Sequence, residues 1–185
     1  MIRSLSVPAF LLLACLLSGA YGMLHNQVSY SISGEYFTKF KFDQFGISPE
    51  TPERLGAAIV GWHASWWMGA FIGLFLIPAG MLVRSDIGYV FAVLRSFVVV
   101  LSTTMLVGAL GLLLAFVFAG SNPDVDSMLR EAMITDPIAF RRTASLHNAS
   151  YIGGLLGIFA GWASILRSFL RENERLNFES REGEE

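Results

Sequence analysis

Residues 63–75 read HASWWMGAFIGLF, and residues 147–159 read HNASYIGGLLGIF. Laid over one another, both give a histidine, an aromatic residue, a large apolar residue, two glycines four apart and a phenylalanine. His63, Trp67, Met68, Gly69, Gly73 and Phe75 fall on His147, Tyr151, Ile152, Gly153, Gly157 and Phe159. The approaches to both stretches agree as well: Thr51-Pro52 precedes the first and Asp136-Pro137 the second. A capping residue followed by proline starts a helix, because the N–H that proline lacks would be unpaired in the first turn anyway. Counted from those prolines, both imidazoles lie ~15 Å along their helices at ~1.5 Å per residue.

Neither stretch carries a charge, and each belongs to a longer apolar run. The chain is 54% hydrophobic and only 15% charged, a balance that fits a membrane protein better than a soluble domain. A bilayer crossing needs ~20 mostly apolar residues. Four runs qualify, at about 4–23, 55–83, 96–119 and 149–166. The expected fold is therefore an all-α, four-transmembrane-helix bundle over residues 1–170, with a charged tail over 171–185. The matched stretches make it a duplicated helical hairpin, the first two spans repeated by the last two. The opening residues MIRSLSVPAFLLLACLLSGAYG also carry signal-peptide features, but the run is long for one, and an uncleaved span is expected. The single Cys15 excludes an intrachain disulfide and a cysteine metal cluster.

Gly69 with Gly73, and Gly153 with Gly157 and Gly161, are read as packing stripes, since small residues let helices approach closely in lipid. Arg3, Arg84, Arg95, Arg167, Arg171, Arg175 and Arg181 gather at one end of the spans, in short segments. By their density both termini are expected in the cytoplasm of a bacterial inner membrane. Arg95 is read as lying at the membrane edge with its side chain snorkelling outward. A net charge of -2 points away from nucleic acid; the expected surroundings are the lipid bilayer and other membrane subunits or a second copy.

The chain has three histidines, and two sit in near copies, LHNQVSY (24–30) and LHNASY (146–151). All three are expected near the outer leaflet, His25 at the end of the first span. VSYSIS reads as a short extended piece. SGEYFTKFKFDQFG (33–46) reads as an interfacial helix capped by Ser33 and ended by Gly46, with Tyr36, Phe37, Phe40 and Phe45 toward lipid. It is expected to bring Glu35 to the histidines. SNPDVDSMLREAMITDP is an acidic loop with a short helical middle, and the tail continues the fourth helix.

From these residues comes a candidate metal site of His25, Glu35, His63 and His147, with Asn26, Asn148 and Tyr151 orienting the rings. Three nitrogens and one carboxylate suit Zn, Cu or non-haem Fe, for redox chemistry or metal handling. A b-type haem held between two histidines is the variant. The alternative is an accessory or scaffold subunit with no chemistry of its own, in which His63 joins Trp66 and Trp67 in an aromatic belt and His147 is packing glue. A transporter lacks the mid-span acid that an ion relay needs, and there is no nucleotide fingerprint or hydrolase triad.

The segment HNQVSYSISGEYFTKFKFDQFGI (25–47) resembles a family of small bacterial multi-span proteins without an assigned activity, in which His-[Asp/Asn]-Gln, Tyr, Ser-x-Glu-Tyr-Phe and Lys-Phe recur. Here those positions are His25, Asn26, Gln27, Tyr30, Ser33, Glu35, Tyr36 and Phe37. Asn26 and Gly34 stand where Asp and Pro would fit as readily. The resemblance implies a bacterial membrane protein and brings no reaction with it.

Overall fold

The structure is a computed structural model that describes residues 2–118, 120 and 122–182. Four long helices carry it: α1 (Ile2–Ile32), α3 (Glu53–Gly80), α4 (Asp86–Phe118) and α6 (Pro137–Glu182). Between α1 and α3 the chain makes a π-helical turn (Phe37–Lys41) that runs into the short α2 (Phe42–Phe45). Between α4 and α6 lies α5 (Pro123–Glu131). No strand occurs among the described residues.

The four long helices are long and apolar enough to cross a membrane. Their surfaces say the same. Leu74 is 66% exposed, Leu106 71% and Phe159 73%, with many other large apolar side chains turned outward. Water would penalise such a surface at ~25 cal/mol per Å2, whereas lipid tails are as apolar as leucine.

The helices associate as two close pairs, α1 with α3 and α4 with α6, and packing between the pairs is sparse. Glycines set the approach within each pair. A Cβ built at Gly69 falls 2.6 Å from the carbonyl carbon of Ala14 on α1, and one at Gly153 falls 2.9 Å from Cα of Thr104 on α4. The two glycines that align in sequence thus press on the partner backbone of their own pair. Gly157 does the same against Val100, at 3.1 Å from its Cα, while Gly73 meets the Leu11 side chain of α1 at 3.0 Å and Gly161 meets Leu76 of α3, across the pairs, at 3.0 Å.

Toward the termini, the pairs share a core of Phe10, Leu76, Tyr89, Val93, Phe97 and Ile165. Arg3 and Glu172 clamp the α3–α4 turn there from opposite sides. Arg3 Nε lies 2.7 Å from Asp86 Oδ1, and Glu172 accepts from the Ser85 amide at 2.8 Å and from that of Arg84.

At the other end the structure departs from the extended piece expected at VSYSIS. α1 stays helical to Ile32, because α3 offers its polar residues partners. Asn26 Nδ2 donates to Ala57 O at 2.9 Å, Gln27 Nε2 donates to Arg54 O at 2.9 Å, and Ser29 Oγ donates back to His25 O at 2.7 Å. His25 therefore lies well inside α1 and not at its end. The following segment is helical, with Tyr36 N donating to Ser33 Oγ at 3.3 Å and Gly46 closing it at φ 63°, a conformation that costs glycine little. Its aromatic residues divide: Phe40 stays exposed and Phe45 half-buried, but Tyr36 and Phe37, expected toward lipid, turn inward. Phe37 is fully buried, and Tyr36 and Phe42 nearly so, against Ala57, Val60 and Phe140. The segment is a plug over one end of the bundle.

Candidate functional site

The two near-copied histidines meet. The rings of His25 (α1) and His147 (α6) lie edge to face with centroids 4.8 Å apart. Tyr36 of the plug stacks on His147 at 5.0 Å and 23°, and Phe37 leans on the same ring at 6.1 Å. His25 Nδ1 is 3.3 Å from the Tyr21 hydroxyl, which is 3.3 Å from Ser150 Oγ on α6. Each arrangement follows from helical spacing. Tyr21 precedes His25 by four residues and Ser150 follows His147 by three, so each pair shares a helix face.

These groups line a cavity of about 110 Å3 at the join of the two helix pairs. Its deeper wall is apolar, with Met68, Ile72, Phe97 and Val100. The polar groups are His25, His147, Tyr21, Ser150 and Tyr151, with Ser18, Asn26, Ser65 and Thr104, of the spans and Lys41 of the plug; among the described residues no carboxylate lines it. Lys41 Nζ donates to Gln44 Oε1 at 2.9 Å and sits 4.5 Å from the Phe40 ring centroid; burial lowers its pKa. The Nε2 atoms of both His25 and His147 are buried and find no hydrogen-bond partner among the described residues. A buried polar atom left unpaired costs ~1–3 kcal/mol.

The Tyr21 hydroxyl has one proton to give. If it donates to Ser150, His25 must carry its proton on Nδ1 and present a lone pair at Nε2. If Ser150 donates to Tyr21, the Tyr21 proton faces Nδ1 and His25 Nε2 carries a proton. Turning two hydroxyls thus switches His25 between acceptor and donor without placing a charge in the membrane.

The other candidate ligands lie elsewhere. His63 is exposed and does not line the cavity. It sits six residues before Gly69, as His147 sits six before Gly153, so both leave their helices in the same direction relative to the packing glycine. On α6 that flank is covered by α1 and the plug; on α3 nothing equivalent covers it. Glu35 points away from the imidazoles. Its carboxylate accepts from Thr135 N at 3.0 and 3.1 Å, from Thr135 Oγ1 at 3.0 Å and from Asp136 N at 3.0 Å. It latches the plug onto the start of α6, where amides and helix dipole favour an anion. Asn26 is committed to Ala57 O, Asn148 is exposed, and Tyr151 reaches the cavity wall. Among the described residues no three of His, Cys, Asp and Glu come together to hold a metal.

The amides of Asp136 and, after it, Thr135 hold the Glu35 carboxyl below its ordinary pKa. Its contribution to stability is therefore complete above the unfolded value, ~4.3, and disappears as the pH falls through the lower folded value. Melting curves of the wild type should lose stability in acid below that point. Glu35→Gln should melt lower at neutral pH and show a flatter profile; identical profiles would mean that the latch contributes nothing.

Comparison with protein-family models, curated proteins and solved structures returned no match. The fold and site define the class: an all-helical bundle of four helices able to span a membrane, with a mostly apolar cavity carrying a few polar groups between its two helix pairs.

Proposed function

We propose that this protein binds the compact polar head of a small lipophilic molecule in the cavity between its helix pairs, with the apolar remainder running along the sparse seam toward lipid. One observation carries the reading: two buried imidazole nitrogens, on two different helices, lack a partner beside a space large enough to supply one. The head should be an acid or a hydroxyl compound. Lys41 is the one formal charge in the lining and, among the described residues, has no carboxylate within ion-pair reach; His25, through its tautomer, meets either a donor or an acceptor. A cation finds no counter-charge there.

Three eight-carbon probes separate the possibilities. Octanoate should raise the melting temperature of the purified protein in a saturable way, octanol less so, and octylammonium not at all. Equal effects of all three would reduce the cavity to a detergent-like apolar void. A second reading rests on the same two nitrogens: a cuprous ion accepts two imidazoles as its only ligands. Stoichiometric copper in the purified protein, lost in His25→Ala, would favour it over the lipophilic ligand.

A further inference from the structure

The cavity beneath the imidazoles is long for its width. On α1 its lining runs from His25 down to Ala14, ~16 Å of helix, and on α3 from Val60 to Ile72, ~18 Å. The opposite wall passes from α6 to α4. His147 to Gly154 lines the half beneath the plug, and Thr104 to Phe97 lines the half toward the termini. The two halves join where a Cβ at Gly153 falls 2.9 Å from Thr104 Cα. Midway, Gly154 is buried, yet a Cβ built there meets nothing within 4 Å, so the space continues past the imidazoles. A floor closes it. The lining ends at Ala14, Ile72 and Phe97, and behind them lie the fully buried Leu76 and the edge contact of Phe97 with Phe10, 6.4 Å between ring centroids.

These dimensions describe a tail. The space open to atom centres is about 110 Å3; spread over ~18 Å, it is a file ~3 Å across. Two chains abreast would hold their carbons ~4 Å apart, so one chain passes and two do not. An extended chain of ~1.5 Å bonds meeting near 111° advances ~1.25 Å per bond, and a floor ~16–18 Å below the imidazoles is reached after about 14 carbons. Granted the head pocket proposed for His25, His147 and Lys41, we propose that the cavity is a ruler for a single straight-chain carboxylic acid of about 14 carbons, its carboxylate at the imidazoles and its methyl end against Ile72 and Phe97. Leu17 and Tyr151 line the file and are 39% and 48% exposed, which leaves its side open to the lipid from which such an acid arrives.

The test places the full chain in phosphatidylcholine nanodiscs and adds straight-chain acids from octanoate to octadecanoate at equal mole fractions of the lipid, so that differences in water solubility drop out. Binding is read as the mole fraction that gives half of the full rise in melting temperature. That value should fall about tenfold from octanoate to tetradecanoate, as each added methylene gains packing contacts. It should rise again by about threefold or more at octadecanoate, whose surplus must displace the packed floor. Gly154→Leu blocks the file ~10 Å below His147, with room for about eight carbons, and should bring the optimum down to octanoate or decanoate. Ile72→Ala opens the floor and should move it up to hexadecanoate. Equal half-points from octanoate to octadecanoate overturn the ruler and leave the head pocket standing, as does an optimum that Gly154→Leu leaves in place. No saturable rise with any of the acids overturns both.

Discussion

Gly61→Val should abolish the close packing of α1 on α3. Gly61 and Gly22 face one another where those helices cross, and each has the other's backbone where a side chain would stand. A Cβ at Gly61 falls 2.5 Å from the carbonyl carbon of Gly22 and closer still to its oxygen; a Cβ at Gly22 meets the Gly61 oxygen in return. Backbone cannot rotate away as a side chain does, so the helices must separate. Separation would also strain the Ser18 Oγ bond to Ser65 O at 2.7 Å and the Asn26 bond to Ala57 O at 2.9 Å, which lie on either side of the crossing. Overpacking of this kind costs ~3 kcal/mol or more, an apparent Tm fall of about 10 °C or failure to purify as a single species. Gly154→Ala is the control, since a Cβ there meets nothing within 4 Å and alanine is the better helix former. A Gly61→Val protein melting within about 2 °C of wild type would mean that the crossing is looser than described.

Removing His147 should weaken ligand and strengthen the empty protein. As a binding group, His147 supplies one of two nitrogens left open in the cavity. Its loss in His147→Leu should cost ~1–3 kcal/mol of affinity, about 10- to 100-fold in Kd for octanoate. As a structural group it is a buried polar ring with an unpaired atom. Leucine fills similar space, removes that unpaired nitrogen and forfeits the stack on Tyr36 at 5.0 Å. The net effect on the unliganded protein should be a gain of roughly 1 kcal/mol. If His147 were packing glue between helices, the same change would lower the melting temperature and leave octanoate without an effect to lose. The two accounts predict opposite signs in one melting experiment.

Much of the scaffold was legible from the chain because it rests on local rules. Apolar runs long enough for a bilayer, the capping residue before proline at Asp136-Pro137 and a glycine at the end of the plug each act within a few residues, whereas at Thr51-Pro52 the cap position falls on Pro52 itself and no side chain caps α3. Asp136 Oδ1 accepts from the Ala139 amide at 3.0 Å, just before α6 begins at Pro137. The site was legible in part. The matched LHNQVSY and LHNASY drew attention to His25 and His147, and Tyr21 and Ser150 stood one helical turn from them. What no local rule supplies is which flank of a helix a neighbour covers. His63 and His147 leave their helices alike, yet only His147 has α1 and the plug over it. Glu35 is expected at the imidazoles because the interfacial helix lies over the bundle's outer end; its neighbour Tyr36 does reach His147, but adjacent residues on a helical turn diverge by ~100°. The carboxylate instead met the open amides at the start of α6, a partner far along the chain.

Three histidines make the central claim directly measurable, since 15N spectra of the imidazoles contain three pairs of signals and His63 serves as an internal reference. With the protein in bilayers, octanoate titration should move the Nε2 resonances of His25 and His147 together and leave those of His63 in place. Movement at His63 alone, or none at His25 and His147 under saturating octanoate, would contradict the proposed pocket.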